Sequence, residues 1–266
     1  MRDDLPIQDN LNIHCVDHLN RGLSYAESCF ETFRVIDGAI FLWDKHWQRL
    51  QRGLASFGLC LPDKHQENIK QSCLQAAKKE GTDSLVRLTV AGGQAPWGLI
   101  QQATPQVYIQ AHPFLGKQQT IRLQSVEYPF ALLPKPAKFT SDYALTLRAK
   151  QHWTLQDEKS PLICKNDVIL GGLVANIALF SQGEWLTPHG DGILAGTIRD
   201  YLIQQDLISP QLCSTQLLEH TEAAVLLNSG SFLQVVQSID NQPLQTQHLA
   251  IADLQQNLQA QQGVRL

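Results

Sequence analysis

Lys138 stands at the end of a proline-broken run, LLPKPAK at 132–138, where regular structure is interrupted. A lysine amine can hold an aldehyde as a Schiff base and later shuttle a proton. Most lysines are solvated surface residues, so the surrounding pattern has to decide. Arg49 lies in His46-Trp47-Gln48-Arg49-Leu50, and a guanidinium can engage two phosphate oxygens at once. Gly196-Thr197-Ile198 opens a helical pattern, where free N–H groups and the helix dipole favour an anion. Nothing comparable points to a metal. Cys15, Cys29, Cys60, Cys73, Cys164 and Cys213 include no Cys-x-x-Cys pair, and the histidines lack an i, i+4 pair enclosing a glutamate. All six cysteines are expected to be structural thiols, and no metal site is expected.

Three blocks follow one another along the chain. The first holds Arg21-Gly-Leu-Ser-Tyr25, Cys29-Phe30-Glu31-Thr32, Val35-Ile-Asp-Gly38 and His46-x-x-Arg49-Leu50. The second is Ala137-Lys138, with Tyr143 five residues on. The third is Leu173-Val-Ala-Asn176, Leu186-Thr-Pro188, Gly192-Ile-Leu-Ala-Gly196 and Arg199; Asn176 lies 38 residues after Lys138. Over about residues 20–236 these blocks resemble the class-IV aminotransferase family of fold-type-IV pyridoxal-phosphate enzymes. That group includes 4-amino-4-deoxychorismate lyase and the branched-chain and D-amino-acid aminotransferases. The resemblance implies pyridoxal 5'-phosphate as cofactor and Lys138 as its Schiff-base lysine. It implies a cofactor site of Arg49, Lys138, Tyr143, Thr197, Ile198 and Ser229, with Tyr143 on the phenolic oxygen and the others, Lys138 apart, on the phosphate. Tyr25, Phe30, Trp97 and Asn228 would line the substrate pocket. Glu31 and Thr32 read as structural.

Two departures stand out. The family carries a glutamate five residues before the asparagine, where it keeps the pyridine nitrogen protonated; here that position is Gly171. The nearest acid along the chain, Asp167, belongs to the preceding turn. Without an anionic partner the ring should be a weaker electron sink. The lyases also tend to carry arginines in a glycine-rich loop, which here reads Ala91-Gly-Gly-Gln-Ala-Pro-Trp97-Gly98. Trp97 and Gly92 stand where those cations would be. The Arg-x-His pattern of the D-amino-acid enzymes is absent.

The elements that must position these residues alternate between strand and helix. Segments 33–43 and 84–91 read as strands, the first with an Asp37-Gly38 hairpin signal. Residues 44–58 read as a helix capped by Asp44 and ended by Gly58, and 63–80 as a second helix. Strands are expected at 106–112, 120–127, 161–164, 168–171, 174–180, 223–227 and 232–236. Helices are expected at 141–156, 197–206 and 248–260. The loop at 132–138 is the expected boundary between a smaller N-terminal lobe, 1–131, and a larger C-terminal lobe, 132–266. The fold class is α/β (α+β): two lobes with mixed sheets and the cofactor between them.

Composition excludes several classes. The chain has 266 residues, a formal net charge of -4 and no basic run, so no nucleic-acid partner is expected. No apolar run reaches membrane-spanning length, and MRDDLPIQDN lacks a signal-peptide core, so the cytoplasm is the expected location. The resemblance implies a homodimer acting on a small molecule. Chain length, the Val35–Gly38 hairpin and the Asn228-Ser-Gly-Ser turn look most like 4-amino-4-deoxychorismate lyase, forming 4-aminobenzoate and pyruvate for folate synthesis. The alternatives are a class-IV aminotransferase of a small amino acid and a homologue that has lost efficient catalysis.

Overall fold

The computed structural model describes residues 15–100, 103–116, 120–156 and 158–262; the N-terminal decapeptide lies outside them. The described chain opens with β1 (Leu19–Asn20) and one helical turn, α1 (Arg21–Tyr25), which Asn20 caps by accepting from the Gly22 N–H at 2.8 Å. Next come β2 (Ser28–Ile36), β3 (Ala39–Ile40), α2 (Trp43–Ala55), α3 (Gln66–Glu80), β4 (Asp83–Ala91), β5 (Gln94–Ala95) and β6 (Gln106–Pro113). β3, β2, β4 and β6 form an antiparallel sheet in that order. Asp37 and Gly38 both have positive φ, 48° and 76°, as a tight turn matching the strand twist requires.

One face of that sheet carries α2. Trp43, Trp47, Leu50 and Leu54 recur at helical spacing and are buried against Phe33, Val35, Val86, Leu88 and Val90. Each such side chain contributes roughly 1.5–3 kcal/mol through burial. The helix starts at Trp43, one residue before the expected start. Its N-cap is Leu42, at φ 55° and without a side-chain cap, while Asp44 sits in the first turn, where a carboxylate complements the dipole.

The second sheet gathers β7 (Thr120–Glu127), β8 (Lys159–Lys165), β9 (Val168–Gly172), β10 (Asn176–Ser181), β11 (Glu184–Pro188), β12 (Ser209–Gln211), β13 (Ala223–Asn228), β14 (Phe232–Ile239) and β15 (Gln242–Pro243). Its order is β12-β11-β10-β13-β14-β7-β8-β9, with β15 on β14. The β11–β12, β14–β7 and β7–β8 pairs are parallel and the remainder antiparallel, a mixed sheet. The chain changes sheets between β6 and β7, ahead of the proline-rich loop. α5 (Thr197–Gln204) and α6 (Leu249–Gln262) cover one side through Ile198, Leu202, Ile251, Leu254 and Leu258. α4 (Thr140–Lys150) follows the loop and stops six residues short of its expected end. There the Trp153 indole N–H donates to the Glu127 carbonyl at the end of β7, at 2.8 Å, tying the chain to that strand.

Candidate functional site

Lys138 is fixed before any chemistry is asked of it. Its carbonyl accepts from the Phe30 N–H at 3.0 Å, and Phe139 makes an antiparallel bridge to Cys29, so the lysine backbone is stitched to β2. α2 closes on the same point. A Cβ on Gly53 would lie 2.7 Å from the Ala137 Cβ and 2.8 Å from the Cys29 Sγ, so only glycine allows this approach. The Lys138 Nζ lies 4.9 Å from the centre of the Phe30 ring. Burial brings its pKa down to about 8, with the Arg49 and Arg87 charges adding to the effect against the pull of Glu31. The shift makes the uncharged amine, the form that attacks a carbonyl, far more accessible near neutral pH than it is for an ordinary lysine.

Behind the lysine lies a buried charged network. The Glu31 Oε1 accepts from Arg49 Nε at 2.8 Å, and its Oε2 from Arg49 Nη2 at 2.6 Å. His46 Nδ1 is 2.7 Å from the same Oε2. Burial alone would raise the Glu31 pKa. The Arg49 charge and the hydrogen bonds from Arg49 and His46 override it and hold the carboxyl at about 2. Burial lowers the His46 pKa, against the opposing pull of Glu31. Arg49 Nη1 then crosses to the second sheet's connections and donates to the Ala195 carbonyl at 2.8 Å.

That contact sets the N-terminus of α5 beside Arg49. Gly196 is the N-cap and provides no side chain, leaving the first N–H groups of the helix free. A Cβ at Gly196 would fall 2.0 Å from the Asn176 Oδ1. Asn176 in turn donates to the Leu194 carbonyl at 2.9 Å, holding the 192–196 loop. The Thr197 hydroxyl is 2.8 Å from that of Ser229, and 3.5 Å from His46 Nε2. Ser229 is presented by a turn built by Asn228, whose Oδ1 accepts from the Gly230 and Ser231 N–H groups, each at 2.9 Å. A guanidinium, two hydroxyls and a free helix start form a cup for an anion.

These residues line one cleft of about 1200 Å³, counting its open mouth. Arg49, Lys138, Tyr143, Thr197, Ile198, Asn228 and Ser229 all face it. Tyr143 meets Phe30 edge to face, with centroids 4.9 Å apart. Phe30 itself is buried beneath the lysine rather than on the cleft wall. Tyr25 and Trp97 are not among the cleft's lining residues. The Tyr25 hydroxyl accepts from the Gly98 N–H at 3.0 Å, while Arg21 donates to the Gly98 and Leu99 carbonyls; Trp97 is left 95% exposed. Asn228 lines the cleft, yet its side-chain oxygen is already engaged by the turn.

The wall at Gly171 is as bare as its sequence suggests. Gly171 has φ 143°, and a Cβ there would lie 2.9 Å from the Ala175 carbonyl oxygen, so the backbone itself demands glycine. Asp167 is not a lining residue. Among the described residues Asp142 is the cleft's lining carboxylate, its pKa raised by burial against the pull of Lys135.

Arg87, on β4, was not singled out from sequence. Its guanidinium stacks 3.6 Å from the Phe30 ring centre and lies 5.9 Å from that of Tyr143. Its Nε donates to the Thr89 hydroxyl at 3.2 Å, and no carboxylate pairs with it among the described residues. The one available signal was an arginine inside an alternating strand, SLVRLTVA, where most surface charges would sit at the ends.

Among the described residues no cluster of His, Cys, Asp or Glu could hold a metal ion, and no helix is long and apolar enough to cross a membrane. The six cysteines are free thiols. Cys29, Cys73, Cys164 and Cys213 are buried, whereas Cys15 and Cys60 are exposed. The amine and the anion cup line one cleft, the pairing that pyridoxal phosphate requires.

Residues 28–239 match the family model described as amino-transferase class IV. A provisionally named branched-chain-amino-acid aminotransferase from Methanocaldococcus jannaschii is 27% identical over 199 residues, 71% of this chain and 68% of the relative. In fold, the chain is similar to a provisionally named 4-amino-4-deoxychorismate lyase from Legionella pneumophila, with TM-score 0.80 and 21% identity over 96% of this chain and 97% of the other. It is also similar to a T.th. branched-chain amino acid aminotransferase complexed with N-(5'-phosphopyridoxyl)-L-glutamate, with TM-score 0.78 and 18% identity over 92% and 88% of the two chains. The architecture is that of fold-type-IV pyridoxal-phosphate enzymes.

Proposed function

Because the chain belongs to the amino-transferase class IV family, we propose that it binds pyridoxal 5'-phosphate and converts 4-amino-4-deoxychorismate to 4-aminobenzoate and pyruvate, a step of folate synthesis. The observation that carries the cofactor is the juxtaposition of a low-pKa amine with an anion cup in one cleft. When bound, the cofactor would supply an aldehyde to hold the substrate amine and a ring to accept electrons. Arg49, Thr197, Ser229 and the first N–H groups of α5 would hold its phosphate, and Tyr143 its phenolic oxygen. Lys138 would take the proton from the substrate carbon that bears the amine. The same amine, or a water it orients, would assist departure of the enolpyruvyl group. Arg87, with which no carboxylate pairs among the described residues, stacks on Phe30 and lies outside the cleft's lining residues, so its charge would favour an anionic substrate from a distance.

The second reading is an aminotransferase of a small amino acid. It is favoured by the Methanocaldococcus relative, and in it the same lysine would both take the proton and give it back. A homologue with weakened catalysis is a third, motivated by Gly171. We expect a homodimer, a reading supported by the exposed Leu23, Trp97, Leu99 and Ile100, and light scattering of the purified protein tests the stoichiometry; the cytoplasm is the location we propose from the sequence alone.

The deciding assay supplies enzymatically made 4-amino-4-deoxychorismate to the cofactor-loaded protein and measures 4-aminobenzoate and pyruvate in equal amounts. Glutamate formed from 2-oxoglutarate and a branched-chain amino acid, with no 4-aminobenzoate, establishes the second reading instead. Turnover of neither substrate by protein that retains cofactor establishes the third.

A further inference from the structure

We infer that Lys135 anchors a substrate carboxylate remote from the reacting amine, a specificity contact supplied by the loop ahead of Lys138. The inference rests on the lyase reading above and assigns the second anionic group of that substrate.

Among the described residues three cations line the cleft: Arg49, Lys135 and Lys138. Arg49 is held by Glu31 and the Ala195 carbonyl, and Lys138 is the reacting amine. Lys135 has neither a hydrogen bond nor an ion pair among the described residues. Asp142 lies near enough to favour its charge but forms no salt bridge with it. Burial nevertheless disfavours the ammonium and lowers its pKa. A partly desolvated charge without a close partner is costly, and an incoming carboxylate relieves that cost.

The loop suits the task. Lys135 lies between Pro134 and Pro136, whose rings fix their own φ and push each preceding residue toward extended backbone. The loop is docked against the second sheet's connections. The Gly192 N–H donates to the Leu133 carbonyl at 2.9 Å, and the Leu132 side chain fills the space of a Gly192 Cβ, 2.7 Å away. The backbone that carries the ammonium is therefore ordered before any substrate arrives. Three residues of extended chain reach at most about 10 Å between the Cα atoms of Lys135 and Lys138. Both side chains line the same cleft, so a substrate amine held at Lys138 would leave the far end of the molecule for Lys135 to meet. Trp97 and Gly92, where the family resemblance led us to expect such a cation, carry none.

The test is equilibrium binding to the cofactor-loaded protein, by calorimetry, of 4-aminobenzoate and its neutral isostere 4-aminobenzamide. The wild type should prefer the carboxylate by about 10-fold or more, the scale of a hydrogen bond to a charged group. Lys135→Met and Lys135→Gln should bring the ratio to about one, and Lys135→Arg should keep most of it. Cofactor affinity should be unchanged in all three. A ratio that survives in both neutral variants overturns the inference, as does a matching loss of cofactor affinity, which would put Lys135 in the cofactor site. If the wild type ignores 4-aminobenzoate but binds glutarate, the lyase reading fails. The same variants tested with glutarate then decide the anchor: weaker binding keeps it and unchanged binding removes it. Binding of neither acid overturns both.

Discussion

Glu31 grips Arg49 with both carboxylate oxygens, at 2.8 and 2.6 Å, in the interior of the smaller sheet's packing. The pair orients the guanidinium toward the anion cup without the help of a ligand. It also makes the two residues interdependent, because either one alone would be a buried, uncompensated charge.

Acid should therefore loosen the fold through Glu31. Its carboxyl is held at about 2 against an ordinary 4.5, so the folded state binds its proton less readily than the unfolded one. The stability it contributes is present above about pH 4.5 and is lost as pH falls toward 2. Urea titrations across that window should show the loss in the wild type and a flatter profile in Glu31→Gln. At neutral pH the variant should be less stable by about 3–5 kcal/mol, the cost of leaving Arg49 unpaired. Equal stability of the two proteins at pH 7 would dismiss the coupling.

Arg49→Ala should weaken pyridoxal phosphate binding by about 2–5 kcal/mol, since a buried charge-assisted contact is removed. Adding Glu31→Gln should recover part of the fold's stability but none of the affinity. Absorbance titration of the apoprotein measures the affinity and chemical denaturation the stability. Unimpaired affinity in Arg49→Ala would mean that the cup works without it.

Borohydride reduction of the cofactor-loaded protein, followed by peptide mapping, should label Lys138. When apoprotein is mixed with the cofactor and reduced after a short fixed time, the label should climb as pH rises through about 8, because the amine must lose its proton before it can attack the aldehyde. The apoprotein should gain stability between about 8 and 10.5, where the unfolded amine still holds a proton that the folded one has lost, and Lys138→Met should lack that gain. A label on another lysine removes the assignment.

Gly171→Ala and Gly171→Glu should both destabilise the protein, by about 1–3 kcal/mol from backbone strain, with glutamate the worse. The φ of 143° and the Ala175 oxygen 2.9 Å from the added Cβ leave no relaxed solution. A carboxylate cannot simply be restored to this wall. Thermal melts of the two variants check this, and an unchanged melting temperature for Gly171→Glu would show that the 172–175 turn yields.

Much of the frame was legible from the sequence because it rests on local rules. The Asp37-Gly38 turn, the α2 stripe and the strand at 84–91 are written in turn chemistry and periodicity. Short pieces that owe their form to distant partners were missed: β1 pairs with β5, and β12 joins β11, over few residues each. The same divide runs through the site. Lys138, Arg49 and Thr197 sit in recognisable blocks, so spacing brought them forward. Arg87 could not be found that way, since its meaning comes from stacking on Phe30, a residue 57 positions earlier in sequence but diagonal to it across the β2–β4 pair, where Arg87 faces Thr32 and Phe30 faces Thr89. Trp97 lies off this chain's cleft: the block resemblance suggested a wall, whereas the Arg21 and Tyr25 contacts hold the loop with the indole exposed.

The bond from Arg49 Nη1 to the Ala195 carbonyl joins a helix of one sheet to a loop of the other at the point where an anion would lodge. Filling the cup therefore rivets a seam between two parts of the molecule. By mass action, every tenfold excess of ligand over its dissociation constant adds about 1.4 kcal/mol against separation along that seam. The filled and empty chains should then age differently under heat or protease, and the abundance of the protein would track the supply of its ligand as well as its own synthesis.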